Sequence, residues 1–105
     1  MIQIKELVKS MREELSDSEA YIDMALHYKP RDKALADMYK ELASQELQHA
    51  HMEHAQAERI IGQLNDPNMT KVHESMKAVW DWEHEQMMET EAIIKAKMDM
   101  YNAKN

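Results

Sequence analysis

The sequence predicts an all-α protein, on three observations. The strong helix formers Ala, Glu, Lys, Leu, Met and Gln dominate, β-branched residues are sparse and phenylalanine is absent. One glycine and two prolines leave little material for turns, so few and long elements are expected. Apolar residues recur at alternating steps of three and four, the period of a packed helix. With 105 residues and a hydrophobic content of 44%, the chain suits a single soluble domain, residues 1–105, around one modest core.

The first helix is expected over residues 2–28. Its seam reads Ile4, Leu7, Met11, Glu14, Ser18, Tyr21, Ala25 and Tyr28, and a second stripe of Val8, Leu15, Ile22 and Leu26 widens that face. Pro30 ends it, because proline has no amide donor and disfavours helix in the residue before it. A second helix follows over 31–64, with Leu35, Tyr39, Leu42, Glu46, His49, Glu53, Ala57, Ile60 and Leu64 along its seam. The segment GQLNDPNMT, residues 62–70, interrupts again, with Asp66 as cap and Pro67 in the first turn of a third helix over 67–102. That helix carries Val72, Met76, Val79, Glu83, Gln86, Thr90, Ile93 or Ile94, Lys97 and Tyr101. Short connections make sequential helices antiparallel neighbours, and so an antiparallel bundle is expected.

All three seams are apolar at the ends and polar in the middle. Folding the second helix back about Pro30 sets Glu14 level with Glu46; folding the third back about Pro67 sets Glu83 and Gln86 near His49 and Glu46. Carboxylates gathered on apolar faces are costly to desolvate unless paired, protonated or bound to a cation. Lys97, a candidate partner, lies about three turns away, so a bound metal ion is the simplest compensation. Glu46 and His49 stand at i and i+3, where both side chains reach one ion. The candidate ligands are Glu14, Glu46, His49, Glu53 and Glu83, with Glu19 the substitute for Glu14. Oxygen-rich sites with imidazole and no sulfur favour iron or manganese, and zinc competes by affinity. Each candidate also has a plainer reading. Glu46 and His49 would serve as a hydrogen-bonded pair in an ordinary bundle, and a small rotation would put Glu53 or Glu83 in water.

Glu46-Leu-Gln-His49 resembles the Glu-x-x-His signature of ferritin-like di-iron carboxylate proteins, and Glu14 with Tyr21 resembles the Glu-x6-Tyr of their first helix. The pair of helices carrying both motifs is similar to the encapsulated ferritins, in which two short chains dimerise to rebuild a four-helix bundle. The resemblance covers residues 11–57. It implies a di-iron site with Glu46 bridging, Glu14 and His49 as terminal ligands, Tyr21 beside the site as the candidate catalytic side chain, and ferroxidase, iron-storage or oxidant-removing activity. It further implies a homo-oligomer, a dimer contributing Glu14, Glu46 and His49 twice. In the competing arrangement one chain builds the site from Glu14, Glu46, His49, Glu53 and Glu83. A full ferritin-like chain has four core helices where three are expected here, and Glu83-His-Glu-Gln86 either stands for the family's second motif or is unrelated to it.

The remaining features bound the function. A net charge of −7 without clustered Lys or Arg argues against nucleic acid and for cations. The absence of cysteine excludes thiolate sites and disulfides. There is no signal-peptide core and no apolar run near 18 residues, so a cytoplasmic protein without a membrane partner is expected. His51 and His54 are expected on the face opposite the seam with Glu58, as an exposed patch that would at most pick up stray metal, and His27, His73 and His84 at the surface or boundary. The methionines, among them Met11, Met76, Met87 and Met98, read as core filling. One of Trp80 and Trp82 is expected to be buried. Against the ferritin-like reading stands a non-catalytic helical assembly module, for instance phage-derived, whose polar layer sets register.

Overall fold

The computed structural model describes residues 2–63 and 71–103, leaving out the side chains of residues 2, 71–73 and 75. It contains three helices, α1 (Ile2–Tyr28), α2 (Lys33–Gln63) and α3 (Lys71–Asn102), and no strand among the described residues. They form a rod of 58 × 18 × 15 Å. The expected cap at Asp66 with Pro67, and Leu64 at the end of the second seam, lie outside the described residues. No helix among them is long and apolar enough to cross a membrane.

Pro30 ends α1 as expected. The Lys29 amide still donates to the Ala25 carbonyl at 2.9 Å, and the next two donors, Arg31 and Asp32, both turn back to the Tyr28 carbonyl at 2.8 and 2.7 Å. α2 then opens at Lys33, two residues later than the sequence reading. The reason is Asp32, whose Oδ1 accepts from the Leu35 amide at 3.1 Å and so caps the helix.

Three stripes, each of four residues spaced seven apart, build the core: Ile4, Met11, Ser18 and Ala25 on α1; Ala36, Ala43, Ala50 and Ala57 on α2; Trp80, Met87, Ile94 and Tyr101 on α3, all 6% exposed or less. Leu15, Ile22 and Leu47 complete it. Alanine has almost no side chain to hold helices apart, so α1 and α2 approach closely enough for Ser18 Oγ to donate to the Ala43 carbonyl at 2.7 Å. That bond pins the antiparallel register of the pair. α3 lies in the groove on one flank, antiparallel to α2 and parallel to α1. Arg12 pairs with Glu83 and Lys97 with Glu19 and Asp23 along α1, while His51 meets Glu91 along α2.

The expected face of α1 is the buried one, with Ile4, Met11, Leu15, Ser18, Ile22 and Ala25 inside; those of α2 and α3 are corrected in rotation. On α2, among the described residues of the expected seam only Ala57 is fully buried, and the true stripe starts one residue later, at Ala36; one residue turns a helix by about 100°. On α3, Tyr101 is buried as expected, and of Ile93 or Ile94 it is Ile94 that is buried; Val79 is 61% exposed, Gln86 is also exposed, and Trp80, Met87 and Glu91 take buried positions that were not expected. The rotation buries alanine and moves carboxylates and imidazole to the rim, where water lowers their desolvation cost. Trp80 is buried and Trp82 exposed, and Met11 and Met87 fill the core with Met76 and Met98 packed on it, as expected.

Candidate metal centre

The displaced residues share the flank of the α1–α2 pair that α3 leaves open. Leu7, Glu14, Tyr21 and Tyr28 follow one another on α1, and Tyr39, Leu42, Glu46, Glu53 and Ile60 on α2, all half-buried. The face is apolar at both ends and carboxylate-rich between. Its geometry follows from the register: Ser18 meets Ala43, so one turn along each helix Glu14 comes level with Glu46.

Glu14, Glu46 and His49 each offer a ligand atom, and all three atoms lie within 4.8 Å of one another. His49 Nδ1 is 3.1 Å from Glu14 Oε2 and 4.0 Å from Glu46 Oε1. The imidazole is 54% exposed and the two carboxylates 23% and 24%. His49 therefore reaches in from the rim, which corrects its expected place on a buried stripe. Burial pushes the Glu14 carboxyl up to about 7, helped by its hydrogen bond with Glu46 and the charges of Glu46 and Glu53, with only His49 pulling it down. Among the described residues no Lys or Arg pairs with Glu14, Glu46 or Glu53. Glu53 lies beside the group, and its Oε1 is buried without a hydrogen-bond partner.

Two expected members stand elsewhere. Glu83 is drawn to Arg12 on the α3 flank, and Gln86 is exposed, so the single-chain arrangement that included Glu83 does not form. Glu19 is held by Lys97 at 3.1 Å and is no substitute for Glu14. Lys97 itself is engaged there and at Asp23, 2.8 Å away, which raises its pKa. Tyr21 stands two turns from Glu14, its ring 6.2 Å from Tyr39, which in turn lies 6.0 Å from Tyr28. It is part of an aromatic column beside the ligand group.

The donor set fits a hard or borderline divalent cation: two carboxylates, one imidazole, a third carboxylate in reserve, and charge that lacks compensation. Sequence reasoning set His54 and Glu58 in an exposed patch with His51 and missed the third member of a second group. His54 and Glu58 on α2 meet His84 on α3, and His54 is 23% exposed where an exposed patch was expected. The i, i+4 spacing of His54 and Glu58 is local, but no local pattern reveals His84, which is 30 positions from His54 and meets it only through the antiparallel packing of α2 and α3. No protein-family model, curated protein or solved structure matches this chain, and its chemistry stands on these side chains alone.

Proposed function

We propose that the chain binds Fe(II) through Glu14, Glu46 and His49, in the manner of a ferritin-like carboxylate protein, and that a second copy completes the site. The observation that carries this reading is the meeting of two carboxylates and an imidazole from two helices beside Glu53, whose buried oxygen has no partner. A cation relieves both the repulsion and the orphaned oxygen. Iron is favoured over zinc because oxygen donors outnumber nitrogen, with manganese the close competitor. Three ligands leave coordination positions to fill. A second α1–α2 face, apolar at its ends and acidic in its middle, supplies the same three residues again and covers Leu7, Ile60 and the tyrosines.

Iron held there would supply one electron per Fe(II), so that two ions with two protons would reduce oxygen to peroxide. The chain's own part is to hold the ions and to release a proton, since Glu14 must lose the one it carries below about pH 7 before it can ligate. Tyr21 and Tyr39 stack on each other two turns along their helices from the group.

Anaerobic Fe(II) titration of untagged protein, by calorimetry with light scattering, tests the reading. Saturation at about one iron per chain with conversion to dimer is expected. Glu46→Ala and His49→Ala abolish most binding, whereas His51→Ala and Glu83→Ala do not. Equal loss in all four variants would place the iron on the surface. Aerobic addition adds an absorbance change faster than in buffer and lost in Glu46→Ala; a rate matching buffer removes the oxidase step and leaves binding. Absence of binding with a stable dimer would favour the assembly module, whose half-exposed polar layer sets register.

A further inference from the structure

His54 and Glu58 stand one turn apart on α2, and His84 faces them from α3, one ligand atom of each lying within 4.8 Å of the other two. The imidazole rings stack at 4.9 Å and 18°. Trp80, only 6% exposed, closes one side, its ring 5.8 Å from His54 and 5.6 Å from His84. His54 Nε2 is buried and makes no hydrogen bond, although Glu58 Oε1 is 3.2 Å away. A buried imidazole nitrogen left in this way costs free energy, and its lone pair is free to ligate.

We propose that His54, Glu58 and His84 form a second metal site, which takes Zn2+ and staples α3 to α2. Two imidazoles, one carboxylate and no thiolate match the three-ligand zinc set, with the fourth position left to water. The donors are nitrogen-rich where the Glu14 group is oxygen-rich, so the two sites prefer different ions. The indole wall on one side keeps solvent from His54, while Glu58, 59% exposed, leaves the other side open for entry. The ion would bridge the two helices at the half of α3 that holds the exposed Val79 and Trp82.

The test uses the full chain carrying Glu46→Ala, which disables the other group, and Trp82→Phe, which leaves Trp80 as the one indole. Zn2+ is titrated by calorimetry, and Co2+ by absorbance and Trp80 fluorescence. Saturation at about one ion per chain, quenching of Trp80 by Co2+ and a rise in melting temperature with Zn2+ are expected. Glu58→Gln and His84→Gln should each weaken Zn2+ binding by more than the ~10–100-fold that loss of an outer-shell partner costs. His51→Ala should leave it unchanged. Glu58 is at the rim, so its replacement reads ligation without disturbing the Trp80 stack, and circular dichroism of each metal-free variant checks that the helices are intact. No saturable Zn2+ binding in the parent of this series overturns the proposal. So does binding that Glu58→Gln and His84→Gln, still helical, leave untouched.

Discussion

Glu14 and Glu91 are both half-buried or buried carboxylates, yet their surroundings move them in opposite directions. Glu14 rises from 4.5 to about 7, through burial and the neighbouring carboxylates. Burial also pushes Glu91 up, but hydrogen bonds from His51 at 2.5 Å and Lys95 at 3.0 Å outweigh it and hold the group below 4.5. Linkage fixes the signs. Folding takes up a proton at Glu14, so its favourable contribution is complete below about pH 4.5 and is lost as pH rises through about 7. At Glu91 the contribution is present above 4.5 and is lost as pH falls through the lowered folded value. The metal-free protein is therefore expected to be most stable near pH 5, which urea melts across pH will measure. Glu14→Gln, neutral at every pH, should gain about 1–2 kcal/mol over the parent near pH 8, after discounting for solvent at this open face, and nothing near pH 4. A parent curve flat between about pH 5 and 8 would mean that Glu14 is solvated. Saturating Fe(II) or Mn(II) under anaerobic conditions should reverse the alkaline decline, since binding at 100 times the dissociation constant adds roughly 2.7 kcal/mol.

At the scale of the helices, closeness decides what meets what. Ala43 is fully buried beneath Ser18, so Ala43→Leu forces three carbons into a space already filled and should cost about 1–3 kcal/mol. It should also part Glu14 from Glu46 and weaken Fe(II) binding. Ala55→Leu on the exposed face is the control, expected within about 0.5 kcal/mol of the parent; equal losses would show that helix propensity rather than packing is being read. The same alanines explain what the sequence revealed. The ends of α1 and the turn at Pro30 were legible, because proline chemistry is local, and from that turn the meeting of Glu14 with Glu46 followed. The buried face of α2 and the Trp80 and Met87 part of that of α3 were not, although Ile94 and Tyr101 lay on the expected seam. Leu35, Leu42 and Ile60 outweigh alanine in any count of hydropathy, whereas packing rewarded the residues that let backbones approach. Glu83 was misplaced for a related reason: the Trp80, Met87, Ile94 and Tyr101 stripe sets the rotation of α3, and Arg12 then captures the carboxylate. His54 with His84 needed that rotation to be known.

Across the whole molecule, α3 is held on the α1–α2 pair by its apolar stripe and by charge. Lys97 with Glu19 and Asp23, Arg12 with Glu83, and His51 and Lys95 with Glu91 span its length. About 1 M salt shortens the screening length to roughly 3 Å, so α3 should loosen while the alanine-packed pair stays closed. A fall in helicity shared by all three helices would contradict that division. One further consequence lies in Lys29, whose ammonium grips the Tyr101 carbonyl and, at 3.1 Å, that of Ala103, satisfying acceptors at the C-terminus of α3. Tyr101 adds a hydroxyl bond to Asp37, and burial and that bond push its phenol up to about 12. The grip is at the end of α3 farthest along the chain from α2. Amide hydrogen exchange should therefore run against the covalent order, slowest from Ile94 to Tyr101 and fastest from Lys77 to Glu83, where the chain has only just left α2. Lys29→Ala should erase that gradient by freeing the far end, and Zn2+ should erase it by slowing the near one.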